Sequence, residues 1–272
     1  MNDAADILPR WAIMWLLAGA MFFVGKALVW HHSKAQRKPW PLVKTFVWWF
    51  FWPGMDAAKW NTPISEQGRL SDQSFHAAIE FSFCKIAFGA FLLWGLAGRL
   101  EHPLAAAWTG MIGLIFLLHF GIFHALALLW QNFGINAQPI MRNPIAAQTI
   151  AEFWGKRWNL AFRDLAHVSI FRPVTARWGK HIGLAAVFLI SGLVHDVLIS
   201  LPAGAGFGLP TAYFALQGFG IVIERKYRLT KRPVLSWLRT HAFTAGPAFF
   251  LFHPTFVERV MIPFFQTIGA LP

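Results

Sequence analysis

Residues 182–201 form one uninterrupted apolar stretch, IGLAAVFLISGLVHDVLISL, in which only His195 and Asp196 are ionisable. The hydrocarbon core of a bilayer is about 30 Å thick, so a helix needs about 20 mostly apolar residues to cross it. This stretch therefore predicts a membrane-spanning helix. The Gly/Pro-rich run at residues 202–206 predicts a turn into a second helix of a hairpin, Phe207 to Ile223.

Three more apolar stretches are long enough to span a bilayer: Trp11 to Trp30, Phe75 to Gly98 and Ala105 to Trp130. The run from Trp40 to Trp52 is shorter and ends at Pro53-Gly54, so it predicts a re-entrant or interfacial helix. The tail from His241 to Ala270 is apolar but is interrupted by three prolines.

These patterns predict an all-α fold, a polytopic transmembrane helix bundle of about six to eight spans. Re-entrant and amphipathic helices are expected at its cytoplasmic face. The whole chain, residues 1–272, is predicted to be a single membrane-embedded domain.

The composition agrees with a multi-pass integral membrane protein, which in a bacterium would lie in the inner (plasma) membrane. The chain is 56% hydrophobic and 13% charged, whereas soluble domains carry about 25% charged residues. Its net charge of +12 would suggest nucleic acid in a soluble protein, but the basic residues lie at the ends of apolar segments, so no nucleic-acid partner is expected. No cleavable signal peptide is expected either, because Asp3 and Asp6 precede the first apolar run.

The basic residues also predict an orientation. Residues 31–40, 54–74, 131–180 and 225–239 together hold 18 of the 24 lysines and arginines. The positive-inside rule places these segments in the cytoplasm and the N-terminus outside. The apolar run at 40–53 is then expected not to cross.

A cytoplasmic amphipathic helix is predicted over residues 144–167. Asn143 is a suitable N-cap and Pro144 a suitable first helical residue. At 100° per residue, Trp154 and Trp158 share an apolar face with other large side chains, and Asn159 lies on the opposite, polar face with Glu152, Lys156 and Arg163. Such a helix lies on the membrane surface or dips into it.

His195 is the main candidate for chemistry because it lies deep in an apolar span, where ionisable groups are costly. Asp196 follows it, and Ser191 precedes it by one turn and can orient its ring. A neutral imidazole is a suitable general base for a hydroxyl near pH 7. The alternative is a structural histidine bonded to a neighbouring helix.

Other polar residues allow two interpretations. Asn159 is either a solvated surface amide or a donor to a developing oxyanion. His119 and His124 lie on one helix and are interpreted as structural or pocket-lining. The His and acidic residues do not cluster with metal-ligand spacing, so no metal is expected.

Two motifs resemble the wax-synthase branch of the membrane-bound O-acyltransferase family. Residues 152–160, EFWGKRWNL, resemble that branch's F-W-x-R-R-W-N signature, and residues 191–196, SGLVHD, resemble its S-G-x-x-H-E motif. The W-P-G-M-D element at residues 52–56 is a weaker similarity. Asp196 stands where the family often has Glu, which leaves the role of that carboxylate open.

The resemblance implies acyl transfer from a thioester, acyl-CoA or another donor, to a lipid-soluble hydroxyl acceptor such as a long-chain alcohol, giving an ester. His195 and Asn159 would be catalytic, with Ser191 and Asp196 supporting them. No cofactor is implied, because acyl-CoA is a substrate, and membrane lipids are the remaining partner. The expected substrate-binding residues are Trp154, Lys156, Arg157, Trp158, Arg163 and Gln217.

Two other classes of function stay open. A membrane transporter can use His195 and Asp196 as a proton relay. A b-type haem electron-transfer protein can use His181 and His195, which are 14 residues apart, as haem ligands. His181 lies at the surface beside Lys180, which makes the haem interpretation weak.

Overall fold

The computed structural model describes residues 8–33, 40–65, 69–227 and 232–272. Seven of the charged residues on which the signal-peptide and orientation predictions depend lie outside these ranges: Asp3, Asp6, Lys34, Arg37, Lys38, Arg228 and Lys231. Within the ranges the chain is helical, with an isolated antiparallel bridge between Pro63 and Ile135.

The described helices are α1 (Arg10–His32), α2 (Leu42–Phe50), α3 (Ala57–Asn61), α4 (Asp72–Arg99), α5 (Pro103–Asn132), α6 (residues 150–157), α7 (residues 160–178), α8 (Lys180–Ala203), α9 (Leu209–Tyr227), α10 (Pro233–Leu251) and α11 (Pro254–Thr267). Several of them contain π-helical turns, one of which, Asp196–Ser200, directly follows His195.

Four helices, α1, α4, α5 and α8, are long and apolar enough to cross a membrane. They confirm the spans predicted at these places. The α10–α11 pair, bent by 59° at its break, raises the number to five if it is counted as one span. The expected six to eight spans are therefore not confirmed for the described residues.

Helix α9 forms where the second arm of the hairpin was expected, but it is not among the candidate spans. Its last turns carry Glu224, Arg225 and Lys226, which shorten its apolar part. Helix α2 has only nine residues, about 13 Å, so it is too short to cross. Its re-entrant or interfacial position stays a prediction.

The start of α1 and the turn after α8 meet at one end of the bundle. The Arg10 guanidinium donates hydrogen bonds to the carbonyls of Pro202 and Ala203, and Arg259 also donates to Ala203. The N-terminal helix therefore begins on the same side as the uncharged hairpin turn, as the charge pattern requires. That this side faces outward stays a prediction.

The single amphipathic helix predicted over residues 144–167 is wrong. Asn143 has a left-handed backbone (φ 46°) and makes no side-chain cap, and the first residues after it form only a short 3-10 turn. Thr149 instead caps α6, whose helix breaks at Trp158. Asn159, also left-handed with φ 40°, starts α7. Apolar periodicity cannot reveal such a break, because one residue's backbone conformation makes it.

Lys26 holds the segment after α2 against α1. Its side chain is fully buried, and its ammonium donates hydrogen bonds to the carbonyls of Trp48 (2.9 Å) and Gly54 (2.7 Å). The ammonium also lies 3.8 Å from the Trp48 ring centroid, a favourable cation–π distance. This anchor fixes residues 48–54 beside the candidate site.

Candidate active site

The backbone of α8 fixes the orientation of His195. Its Nδ1 lies 2.7 Å from the carbonyl oxygen of Ser191, one helical turn earlier. A carbonyl can only accept, so Nδ1 carries the proton of the neutral ring. The lone pair is then on Nε2, which is the atom a general base needs.

Aromatic rings surround the imidazole. The ring centroid of Phe214, on α9, lies 4.4 Å from that of His195, and Phe162, on α7, lies 6.4 Å away. Trp154, on α6, packs against Phe214 at 5.5 Å. Three helices thus bring apolar side chains around one half-buried polar ring, and such surroundings favour its neutral form.

The Ser191 hydroxyl does not orient the His195 ring. It is buried and donates to the Val187 carbonyl at 2.7 Å, within α8. The predicted orienting role of the Ser191 side chain is therefore wrong, and the Ser191 backbone carbonyl orients the ring instead.

Asp196 is directed at the hairpin turn. Its Oδ1 accepts hydrogen bonds from the Ser200 hydroxyl (2.9 Å) and the Gly208 N–H (2.8 Å), and its Oδ2 accepts one from the Thr211 hydroxyl. Gly208 and Thr211 belong to the start of α9, where a negative charge is favoured by the helix dipole. The carboxylate therefore ties the N-terminus of α9 to α8.

Asn159 lies at the break between α6 and α7. Its side-chain oxygen accepts from the Phe162 N–H at 3.2 Å, and its own N–H points at the Met141 sulfur. Its NH₂ group makes no hydrogen bond with the described residues and is free to donate. Since Phe162 contacts the imidazole, the structure brings this turn of α7 against His195.

Trp154 and Gln217 form a hydrogen-bonded pair that supports the aromatic side chains around His195. The Trp154 Nε1–H donates to the Gln217 side-chain oxygen at 3.2 Å, and the Gln217 NH₂ donates to the Phe243 carbonyl at 3.0 Å. Gln217 is fully buried. Trp158 stacks on Phe153 with ring centroids 5.5 Å apart. Gln217 thus positions Trp154, and substrate contact by any of these residues stays a prediction.

Of the predicted basic residues on α6, Lys156 is exposed, whereas Arg157 is used within the fold. Arg157 pairs with Glu152 at 2.7 Å and donates to the carbonyls of Arg142 and Asn143. Burial opposes ionisation of Glu152, but the Gln148 N–H and the Arg157 guanidinium outweigh it and lower the pKa of the carboxyl. These bonds close the loop between residues 142 and 157.

A charged cleft opens beside the Asn159 turn. Its basic residues are Lys59, Arg142 and Arg163, and its acidic residues are Asp56 and Asp164. Lys59 pairs with Asp56 at 2.8 Å, and Arg163 pairs with Asp164 at 3.0 Å. Burial raises the pKa of the Asp164 carboxyl, against the opposing effect of Arg163.

The W-P-G-M-D element lines the same cleft with Trp52, Gly54, Met55 and Asp56, and Leu160 and Ala161 complete it next to Asn159. Across the described ranges, no three His, Cys, Asp or Glu side chains are grouped as a metal site would need. The amide side chains of Asn136 and Gln138 also line the cleft, which thus offers cationic and amide groups to a ligand.

Residues 137–216 match the family model described as "Membrane bound O-acyl transferase family". This segment is therefore similar to that family, and the match covers less than half of the chain. The match includes Asn159, Ser191, His195 and Asp196, and it ends one residue before Gln217.

The proteins that the chain resembles over a longer stretch carry names of one kind. The chain is 28% identical over 136 residues to "Probable long-chain-alcohol O-fatty-acyltransferase 6" of Arabidopsis thaliana, covering 44% of this chain and 39% of that protein. It is 30% identical over 139 residues to number 8 of the same series, covering 46% and 41%. "Long-chain-alcohol O-fatty-acyltransferase" of Simmondsia chinensis is 28% identical over 100 residues, covering 34% and 28%. The aligned region thus spans about two fifths of the first two relatives. All three named relatives are plant proteins, so a bacterial inner membrane has no support from these relatives.

Three site features were missed in the sequence. Lys26 had a visible signal, a lysine in the middle of an apolar span. Phe162 and Phe214 had no such signal in the sequence, because aromatic residues are common in membrane helices. Only the packing of α7 and α9 brings both rings to His195.

Proposed function

We propose that this chain transfers a fatty acyl group from a thioester donor, acyl-CoA, to the hydroxyl of a long-chain alcohol, giving an ester. The observation that carries the proposal is the His195–Ser191 hydrogen bond, which leaves Nε2 as the basic atom in an aromatic enclosure. The names of the plant relatives support the acyl group and the alcohol as substrates.

His195 acts as the general base in this mechanism. Nε2 takes the proton of the alcohol hydroxyl as its oxygen attacks the thioester carbonyl carbon. The new C–O bond gives a tetrahedral oxyanion, which collapses with cleavage of the C–S bond. The thiolate of CoA leaves and takes the proton from Nε2, so the neutral imidazole is restored without a covalent enzyme intermediate.

Asn159 supplies a donor to the oxyanion. Its NH₂ group is the free half of an amide whose oxygen is held by the Phe162 N–H. A donor fixed in this way costs little reorganisation when charge develops on the substrate oxygen. Asn159 thus fixes the start of α7 and presents a hydrogen-bond donor with the same side chain.

The charged cleft is suited to the phosphates of the donor. The Arg142 guanidinium forms no ion pair among the described residues, and its one hydrogen bond there is donated to the Gln138 side-chain oxygen, at 2.9 Å. Lys59 and Arg163 have carboxylate partners at the cleft, which phosphates can displace or share. The thioester end can then reach the Asn159 turn, while the acyl chain lies among apolar helices.

The geometry of Asp196 argues against the proton relay. A relay carboxylate must exchange protons with its neighbour, but this one already accepts three hydrogen bonds that tie α9 to α8. The acyl-transfer mechanism needs nothing from Asp196 beyond that structural role.

The proposal is tested by incubating the purified full chain with palmitoyl-CoA and hexadecanol. We expect release of free CoA that depends on hexadecanol, with the wax ester identified by mass spectrometry. CoA release without ester, or no release with any long-chain alcohol, contradicts the proposal. Absorption between 400 and 430 nm in the purified protein would instead favour the haem interpretation.

A further inference from the structure

A lysine and a histidine meet on the outer helices, away from His195. The Nζ of Lys85, on α4, lies 2.9 Å from the Nδ1 of His124, on α5. Both side chains are half-buried. The rings that contact His195 belong to α7 and α9, so this pair is outside the proposed catalytic group.

The pair lies near the end of the bundle that carries the basic loops. The first turns of α4 are polar, with Asp72, His76 and Glu80, and its apolar part starts at Phe81. Lys85 is thus about one turn inside the apolar part. His124 lies eight residues before the end of α5, about 12 Å along the axis. For helices that cross a bilayer, a pair at this depth is expected near the head-group boundary of one leaflet.

The hydrogen bond fixes which atoms can donate. A lysine ammonium only donates, so His124 Nδ1 accepts and its Nε2 carries the proton. Lys85 forms no ion pair with any acidic side chain among the described residues. The pair therefore has a net positive charge, and two Lys85 protons are left to donate, whereas the Nε2–H of His124 points away from the ammonium.

The surface around the pair is apolar. The Phe81 side chain is 62% exposed and its ring lies 4.3 Å from the Lys85 ammonium, and Phe83 is 59% exposed. Charged side chains in lipid usually pair with one another or reach the interface. Here a positive charge is held against the helix surface by a neutral partner, next to a wall suited to an acyl chain.

We propose that the Lys85 ammonium, held in place by His124, binds a lipid anion with two oxygen acceptors on one negative charge. The carboxylate of a free fatty acid and the phosphodiester of an anionic phospholipid both have this chemistry. The oxygens receive hydrogen bonds from the two remaining protons of the Lys85 ammonium, which His124 orients, and the lipid tail lies along Phe81. The site does not depend on acyl transfer.

The test uses the full chain carrying His195→Ala, so that no turnover interferes, in a non-ionic maltoside detergent. Binding of radiolabelled oleate is measured for this protein and for the further variant Lys85→Met. We expect Lys85→Met to weaken oleate binding about tenfold or more, the effect of losing a charge-assisted hydrogen bond. Lys85→Arg should keep most of the affinity. Lys44→Met, a lysine on α2, is the matched control and should change the affinity less than about twofold.

Competition identifies the source of the anion. Displacement of oleate by dioleoylphosphatidylglycerol assigns the site to phosphodiesters, and failure to displace it assigns the site to carboxylates. Oleyl alcohol, which has the tail without the charge, should compete poorly in both cases.

If Lys85→Met does not fold, His124→Leu replaces it and should weaken binding about threefold or more, because the ammonium loses the hydrogen bond that orients it. Equal binding by the parent and by the folded variants, or competition by oleyl alcohol as strong as that by oleate, overturns the proposal.

Discussion

Asp196 and Thr211 form a hydrogen bond that ties the C-terminal half of α8 to the first turn of α9. The same carboxylate accepts from the Gly208 N–H and the Ser200 hydroxyl. The residue next to the proposed catalytic histidine thus holds together the two helices that carry His195 and Phe214. His195 and Asp196 are adjacent in sequence but have different roles: His195 is the proposed base, and Asp196 holds α9 to α8.

Replacing Asp196 should therefore reduce the stability of the protein more than its rate of acyl transfer. We expect Asp196→Ala to lower the free energy of unfolding by about 1–3 kcal/mol, because the buried Ser200 hydroxyl and two further donors at the turn lose their acceptor. Thr211→Val should have a smaller effect in the same direction. Thermal unfolding of the detergent-solubilised protein measures both. A variant of normal stability whose activity falls more than about a hundredfold would instead return Asp196 to a proton-transfer role.

Asn159 can be tested without disturbing the backbone. Asn159→Gly fits the left-handed conformation (φ 40°) and is a tolerated N-cap, so it removes the amide while the break in the helix is kept. We expect it to lower kcat about 10²- to 10³-fold, the cost of losing one oxyanion donor. Asn159→Asp, which keeps the cap acceptor but loses the NH₂ group, should lower it as well. A glycine variant with unchanged kcat would leave Asn159 a purely structural role.

The charged cleft predicts a dependence on the nucleotide part of the donor. Arg142→Ala should raise the KM for acyl-CoA about tenfold, because a charge-assisted contact to phosphate is lost, while kcat changes little. The control is a change of substrate: with S-palmitoyl pantetheine, which lacks the nucleotide, the variant and the parent should have similar KM values. An equal rise of KM for both donors would show that Arg142 does not bind the phosphates of acyl-CoA.

The Glu152–Arg157 contact predicts a pH dependence of stability. The pKa of Glu152 is lowered in the folded protein, so its contribution is present above the unfolded pKa of about 4.3. That contribution is lost as pH falls through the lower folded pKa. Glu152→Gln should therefore unfold at a lower temperature than the parent at pH 7, and the gap should narrow towards pH 3. A gap that is constant with pH would show that the ion pair contributes nothing.

The spans and the hairpin could be predicted from sequence because apolar length determines them directly. The stretches Phe75 to Gly98 and Ala105 to Trp130 differ from α4 and α5 by only a few residues at each end. The break at Trp158 and Asn159 could not be predicted, since the apolar periodicity continues across it while Asn159 adopts a left-handed backbone conformation.

The candidate site likewise has features that the sequence predicts and features that it does not. Asn159 and His195 were recognisable as residue types within motifs. The partners of Asp196 and the packing of Phe214 against His195 depend on how α9 docks on α8. A carboxylate next to a histidine in sequence suggests a shared role, and only the three-dimensional hydrogen bonds show that it is directed elsewhere.

The central claim is that Nε2 of His195 is the general base. The most direct measurement is hexadecanol-dependent CoA release by His195→Ala compared with His181→Ala, an exposed histidine at the start of the same helix, with palmitoyl-CoA binding measured alongside to exclude unfolding. We expect His195→Ala to lose 10²- to 10⁴-fold in rate and to keep donor binding, and His181→Ala to stay near the parent. A His195→Ala protein that retains more than about a tenth of the parent rate would contradict general-base catalysis by this residue.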